Sequence, residues 1–244
     1  MSKILLVTGG ATGIGRAVSK CFAENGYSVC IGYNSSENEA KALCAELLGS
    51  GADADIFRAD VSDYDQARAL AEFCEKRFGK IDVLVNNAGV SSVGLLTDTD
   101  KSDFDRIFGV NMGGVYNVTR HVLPLMLSVH RGKIINISSV WGETGASCEA
   151  LYSASKAAVI GFTKALAKEV GPSGITVNCI APGVIDTKMN ACFSEEEIAA
   201  LCEEIPLGRI GKADETAKTA LFLASDGADY ITGQTVGVNG GMVI

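Results

Sequence analysis

The stretch ILLVTGGATGIGRAVSKCFAEN, residues 4–25, decides the fold. An apolar, β-rich run ends at Val7, the glycines Gly9, Gly13 and Gly15 crowd the turn, and a helix-length pattern runs from Ile14 to Asn25. Glycines let a chain turn sharply and bring bare backbone N–H groups, with the amino end of a helix, up to a pyrophosphate. The spacing is TGxxxGxG and misses the usual GxGxxG. With 28 glycines in 244 residues, the turn alone does not separate a phosphate cradle from a plain structural bend. Its place between a first strand and a first helix favours the cradle.

Working outward, short β-rich runs keep alternating with helix-length segments. After YSVCIGY come a charged helix to Gly51, ADIFRAD, a helix from Tyr64 to Phe78, and KIDVLVNNAG. Then follow a long helix around 101–130, the strand KIINISS, a helix over 150–169, ITVNCIAPG, a helix near 213–225 and a last strand near Gln234 to Val238. Such alternation predicts a parallel sheet with helices on both faces. Length alone would permit two domains, but no linker, repeat or low-complexity tract breaks the pattern. The expected fold is α/β: one doubly wound, Rossmann-type domain of about seven strands over residues 1–244.

Composition removes several classes of function. Hydrophobic residues make up 47% of the chain and the mean hydropathy is +0.22, which describes a well-buried globular protein. The longest apolar runs are far shorter than the roughly 20 residues that span a bilayer, and no signal-peptide pattern follows the first lysine, so a cytoplasmic protein is expected. A net charge of -8 and a pI near 4.9 argue against nucleic-acid and anionic-membrane partners. Eight cysteines without a CxxC pair read as buried, reduced thiols. His121 and His130 read as helix-surface residues; no HExxH, Cys/His metal cluster or GxSxG elbow is present, so no metal is expected.

Chemistry concentrates in ALYSASKAAVIGFTKALAKE, residues 150–169, where Tyr152 and Lys156 stand four apart on one helix face. A phenol with a pKa near 10 is a sluggish acid or base at neutral pH, and an ammonium beside it would favour the phenolate. A shift of about 3 units needs about 4 kcal/mol, more than one exposed pair supplies, so a second positive charge is required. The small residues Ser153, Ala154 and Ser155 are expected to let a flat ring and a substrate approach. An isolated YxxxK reads as solvated surface. Ser139, at the end of KIINISS, weighs against that, because ligands sit at strand carboxyl ends in open α/β sheets.

TGGATGIG, Asp60-Val61, the NNAG at 86–89, Asn111, Ser139, Tyr152xxxLys156 and Pro182-Gly183 occur in the order and spacing of the short-chain dehydrogenase/reductase family. The chain resembles that family from the first strand to ITGQTVGVNGG, and most resembles its 3-oxoacyl-carrier-protein reductases. The resemblance implies that Tyr152 is the general acid, or the base in reverse, and that Ser139 holds the substrate oxygen, a role open to Ser138 on chemistry alone. It implies that Lys156 lowers the tyrosine pKa and contacts the nicotinamide ribose, and that Asn111 holds a relay water. For the cofactor it implies Asp60 and Val61 beside adenine, Asn87, Ala88 and Gly89 under the adenosine ribose, and Ile185 and Thr187 at the carboxamide and pyrophosphate.

An acid at the end of the second strand would accept the ribose hydroxyls of NAD and repel the 2′-phosphate of NADP. Tyr33, Asn34, Ser35 and Ser36 stand there instead, which favours NADP(H) over NAD(H). Thr12 occupies the place where NADP users of the family often carry a basic residue. The lid, about 184–211, is expected to contain a helix capped by Ser194 with an acidic first turn of Glu195, Glu196 and Glu197. Trp141 is either a substrate platform or a core residue. Glu143 and Glu149 are either solvated or acidic groups on the substrate wall, and Arg131 and Lys133 are possible docking groups for an acidic carrier protein.

The leading expectation is reduction of a 3-oxoacyl thioester, small or carrier-bound. The alternatives are another ketone, such as the aminopentanone group on a modified lysine of elongation factor P or a small secondary alcohol/ketone, and a non-catalytic dinucleotide sensor. The family resemblance also implies a homotetramer, pairing the long helices that begin near Asp100 and Tyr152 and the C-terminal strands.

Overall fold

The opening run ILLVT is buried at every position because both of its faces meet helices. In the computed structural model, which describes residues 2–187 and 195–244, it forms β1 (Ile4–Thr8) and leads into α1 (Gly13–Glu24). The alternation continues through β2 (Ser28–Tyr33), α2 (Glu37–Gly49), β3 (Ala54–Arg58), α3 (Tyr64–Phe78) and β4 (Val83–Asn86). The second half holds α4 (Lys101–Phe108), α5 (Gly114–Ser128), β5 (Gly132–Ile137), the short α6 (Trp141–Thr144), α7 (Ala150–Val170) and β6 (Ile175–Pro182). It closes with β7 (Ile185–Asp186), α8 (Glu195–Glu204), β8 (Gly211–Lys212), α9 (Ala213–Ala224) and β9 (Thr235–Val238).

Among the described residues, seven strands make one wholly parallel sheet in the order β3-β2-β1-β4-β5-β6-β9, and β7 pairs with β8 in a separate ribbon. Side-chain alternation along each strand feeds two cores. Leu5 and Val7 pack with Val18 and Phe22 of α1, Leu43 of α2 and Leu223 of α9. Leu6 and Leu84 pack with Leu70 of α3, Met126 of α5 and Val170 of α7. Fully burying one such side chain contributes about 1.5–3 kcal/mol, so two covered faces hold the sheet together, and its parallel strands all end on one side. Because β1 has β2 on one side and β4 on the other, the chain reverses direction across the sheet at β1, and this reversal opens a crevice at the carboxyl ends.

Several expectations are corrected. The helix around 101–130 is two helices joined through a π turn at Gly109–Gly113. His130 lies beyond α5 in a left-handed conformation, φ 50°, and His121 is half-buried, edge-on to Tyr64 at 4.5 Å between centroids. Of the described cysteines only Cys30, Cys74 and Cys179 are buried, and Cys21, Cys44, Cys148 and Cys202 are partly exposed. The expected Ser194 cap lies outside the described residues. Among those residues no helix is long and apolar enough to cross a membrane, and no cluster of metal-binding side chains occurs.

Candidate active site

The strand carboxyl ends surround a cleft of about 730 Å³. At one end lies the glycine turn. Gly9 and Gly13 hold φ of +61° and +51°, where an L side chain is strained, and a Cβ on Gly15 would stand 2.1 Å from the Gly9 carbonyl oxygen. Thr12 caps α1 without using its hydroxyl, and Thr12, Gly13 and Ile14 form cleft wall. This glycine turn at a helix amino end fits the pyrophosphate of a dinucleotide, since Gly9 and Gly13 bring bare backbone to the cleft.

Asn87 ties that turn to the strand beside it. Its Nδ2 donates to Thr8 O at 3.0 Å and Gly9 O at 3.1 Å, while the Thr8 hydroxyl accepts from the backbone N–H groups of Asn87 and Ala88. Asn87, Ala88, Gly89, Pro182, Gly183, Ile185 and Thr187 all border the cleft. Tyr33, Asn34, Ser35, Asp60 and Val61 lie outside its walls, at the ends of β2 and β3. Asp60 there accepts from the N–H and the hydroxyl of Ser62 at 2.9 and 2.6 Å, and Val61 is buried.

At the other end stand Ser139, Tyr152 and Lys156, brought together by β5 and α7. The Lys156 ammonium, buried, donates to Ile137 O at 2.9 Å and lies 5.7 Å from the centroid of the Tyr152 ring. Burial pulls Lys156 down to about 8. Burial also pushes the Tyr152 phenol up to about 12; the Ser139 hydroxyl draws it down and the Glu149 carboxylate raises it further. The lysine alone therefore does not produce a phenolate.

Ser138 and Ser139 have separate jobs. Ser138 donates its hydroxyl to Lys156 O at 2.8 Å and so fastens α7 to β5, whereas Ser139 accepts from Trp141 N, at 3.2 Å, and its hydroxyl stands beside that of Tyr152 in the cleft. The expected open face at Ser153, Ala154 and Ser155 is not there. Ser153 Oγ accepts from Ala146 N, Ser155 Oγ donates to Tyr152 O, and Ala154 is exposed, because intervening positions of a helix turn away from the face shared by i and i+4.

Asn111 sits in the π turn, fully buried. Its Oδ1 accepts from Val90 N at 2.8 Å, and its Nδ2 donates to Val90 O and Ser155 Oγ, both at 2.9 Å. It clamps the segment after β4 to α7. A Cβ on Gly89 would meet both Asn111 Oδ1 and Lys156 Nζ at 3.3 Å, so the two side chains flank one point of that segment.

Trp141 and Glu149 line the substrate end of the cleft, and burial raises the Glu149 pKa. Glu143 is exposed and forms no part of the wall, because α6 turns it outward. Sequence reasoning missed Arg106, Val93 and Leu201, which also border this end. Nothing local marks them: α4 brings Arg106 to the cleft, α8 brings Leu201, and the loop after β4 brings Val93. Arg131 and Lys133 are already paired, with Asp226 at 3.1 Å and Asp229 at 2.6 Å, which reduces what they offer an acidic carrier.

A dinucleotide cradle opening onto a tyrosine, serine and lysine defines an oxidoreductase that works between CH–OH and C=O. Comparison narrows it. A family model described as enoyl-(acyl carrier protein) reductase matches residues 9–243. The 3-oxoacyl-[acyl-carrier-protein] reductase of Staphylococcus aureus (strain Mu50) is 43% identical over 242 residues, covering 99% of this chain and 98% of that protein. The one from Thermotoga maritima is also 43% identical, with the same coverage. An uncharacterized oxidoreductase of Bacillus subtilis (strain 168) is 42% identical over 99% of both chains. The chain belongs to the short-chain dehydrogenase/reductase family and is an NAD(P)-dependent oxidoreductase.

Proposed function

We propose that this protein reduces a 3-oxoacyl thioester to the 3-hydroxyacyl thioester with NADPH, on a carrier protein or coenzyme A. The observation that carries the reading is the grouping of Ser139, Tyr152 and buried Lys156 at one end of a cleft whose other end is the bare glycine turn. A nicotinamide held there would supply the hydride. Ser139 donates a hydrogen bond to the carbonyl oxygen and Tyr152 gives that oxygen its proton. Lys156 holds its ammonium between Ile137 O and the tyrosine ring, and Asn111 keeps Gly89 and Val90 at fixed distance from α7. Gly9, Thr12, Gly13, Ile14 and Gly15 hold the pyrophosphate. Asn87, Ala88 and Gly89 hold the adenosine ribose, Asp60 and Val61 the adenine, and Pro182, Gly183, Ile185 and Thr187 the carboxamide side.

The test is NADPH oxidation with acetoacetyl-CoA, run beside NADH. Turnover with NADPH at least tenfold above NADH is the expected result. Cofactor binding with no turnover would overturn the thioester reading. Besides Lys156, Arg106 gives the substrate end a cation suited to a phosphate-bearing carrier arm, although Asp103 approaches it at 3.5 Å. The half-buried Glu149 favours a second reading, a ketone bearing an amine, and turnover of an amino-ketone but not of the thioester would select it.

The same reading places the protein in the cytoplasm as a homotetramer. Supporting the assembly, Phe104 and Tyr116 are exposed on α4 and α5, Phe222 on α9, Tyr230 stands fully exposed, and β9 is an open sheet edge. Light scattering should return four times the 25.4 kDa chain mass. A single-chain mass would rule the tetramer out.

A further inference from the structure

The proposed preference for NADPH lacks its usual cation, since Thr12 carries no charge. The remaining basic groups near the glycine turn are engaged: Arg16 and Lys20 of α1 both pair with Glu46, at 2.6 and 2.7 Å. One arginine nearby is differently placed. Arg58 ends β3, in register with Tyr33 at the end of β2. Its Nε donates to Asn34 O at 3.2 Å, and its guanidinium takes part in no salt bridge among the described residues. The adjacent Glu37 carboxylate is held by Lys41 at 2.6 Å.

We propose that Arg58 is the residue that selects for a 2′-phosphate on the adenosine ribose. The inference rests on the cofactor reading above and goes beyond it by naming a residue outside the glycine turn and the second strand. The bond through Nε fixes the guanidinium against the turn after β2, which leaves its two terminal nitrogens for a phosphate. Guanidinium and phosphate match in charge and in bidentate geometry. Exposed Asn34 and Ser35, and the Ser36 hydroxyl, which makes no cap bond to α2, are the neutral donors beside it. The sequence conceals this role because Arg58 lies 22 positions beyond Ser36, on another strand, and only the parallel register brings it to the turn.

The experiment is direct titration of the purified protein with NADPH and with NADH, followed by calorimetry, for wild type, Arg58→Met and Arg58→Lys. Arg58→Met should weaken NADPH binding by roughly tenfold to a hundredfold, as for a lost charged hydrogen bond, and shift NADH binding by less than about twofold. Arg58→Lys should recover part of the preference. Equal losses for both nucleotides would show that Arg58 merely braces the turn, and would overturn the role proposed. A wild type that prefers NADPH, with the preference intact in Arg58→Met, would overturn the role of Arg58 alone. A wild type that binds NADH more tightly would overturn the cofactor reading and this inference with it.

Discussion

Tyr152→Phe should leave dinucleotide binding near the wild-type value and lower turnover by roughly 10² to 10⁴, the contribution of a positioned proton donor. That range corresponds to about 2.7–5.4 kcal/mol of barrier. The substitution keeps the ring, and therefore the burial, and removes only the hydroxyl that faces Ser139. The pH profile gives the sign. With the phenol held near 12 by burial, Tyr152 keeps its proton through neutral pH, so it serves as an acid in reduction and should lose that capacity only as pH rises toward its pKa. Oxidation of the alcohol needs the phenolate and should speed up with pH. Steady-state rates in both directions, beside calorimetric binding of the cofactor, make the test. A variant with unchanged turnover would remove Tyr152 from the chemistry.

Gly15→Ala should abolish measurable dinucleotide binding and lower stability by about 1–3 kcal/mol through overpacking. The added methyl would stand 2.1 Å from Gly9 O and 2.5 Å from Asn87 Nδ2. Neither neighbour is free to yield. Gly9 is already in a left-handed conformation, and Asn87 is fixed by its bonds to Thr8 O and Gly9 O. Relief must come from moving α1 away from the turn, which withdraws the backbone N–H groups from the pyrophosphate. Melting temperature and calorimetric titration report the two effects separately. Wild-type affinity in this variant would show that the turn is only a structural bend.

The fold was legible because the main strands and helices follow their local pattern, and the parallel alternation leaves few topologies. The glycine turn and the Tyr152–Lys156 pair were legible for a related reason: each is local, and its spacing states its geometry. What escaped was non-local. The π turn has no marker in GVNMGG beyond its glycines, and it decides that Asn111 bonds Val90 and Ser155. Likewise the clustering of Arg106, Val93 and Leu201 depends on how separate elements pack, and the division of labour between Ser138 and Ser139 depends on which hydroxyl meets Lys156 O. The open face imagined at Ser153 to Ser155 failed because neighbouring serines found backbone partners that no spacing rule reveals.

The strand that begins the sheet is also its centre, with Leu5 paired to Val29 on one side and to Val83 on the other. During synthesis β1 and β2 can pair early, but one flank of β1 stays an open hydrogen-bonding edge until β4 has been made. Parallel pairing across such a gap is slow, because loop-closure entropy must be met before the ladder offsets it. The cleft walls come from the end of β1 and from segments at and beyond β4, so the strands made first cannot bind and react alone. The walls come together only once the later strands have paired with the first.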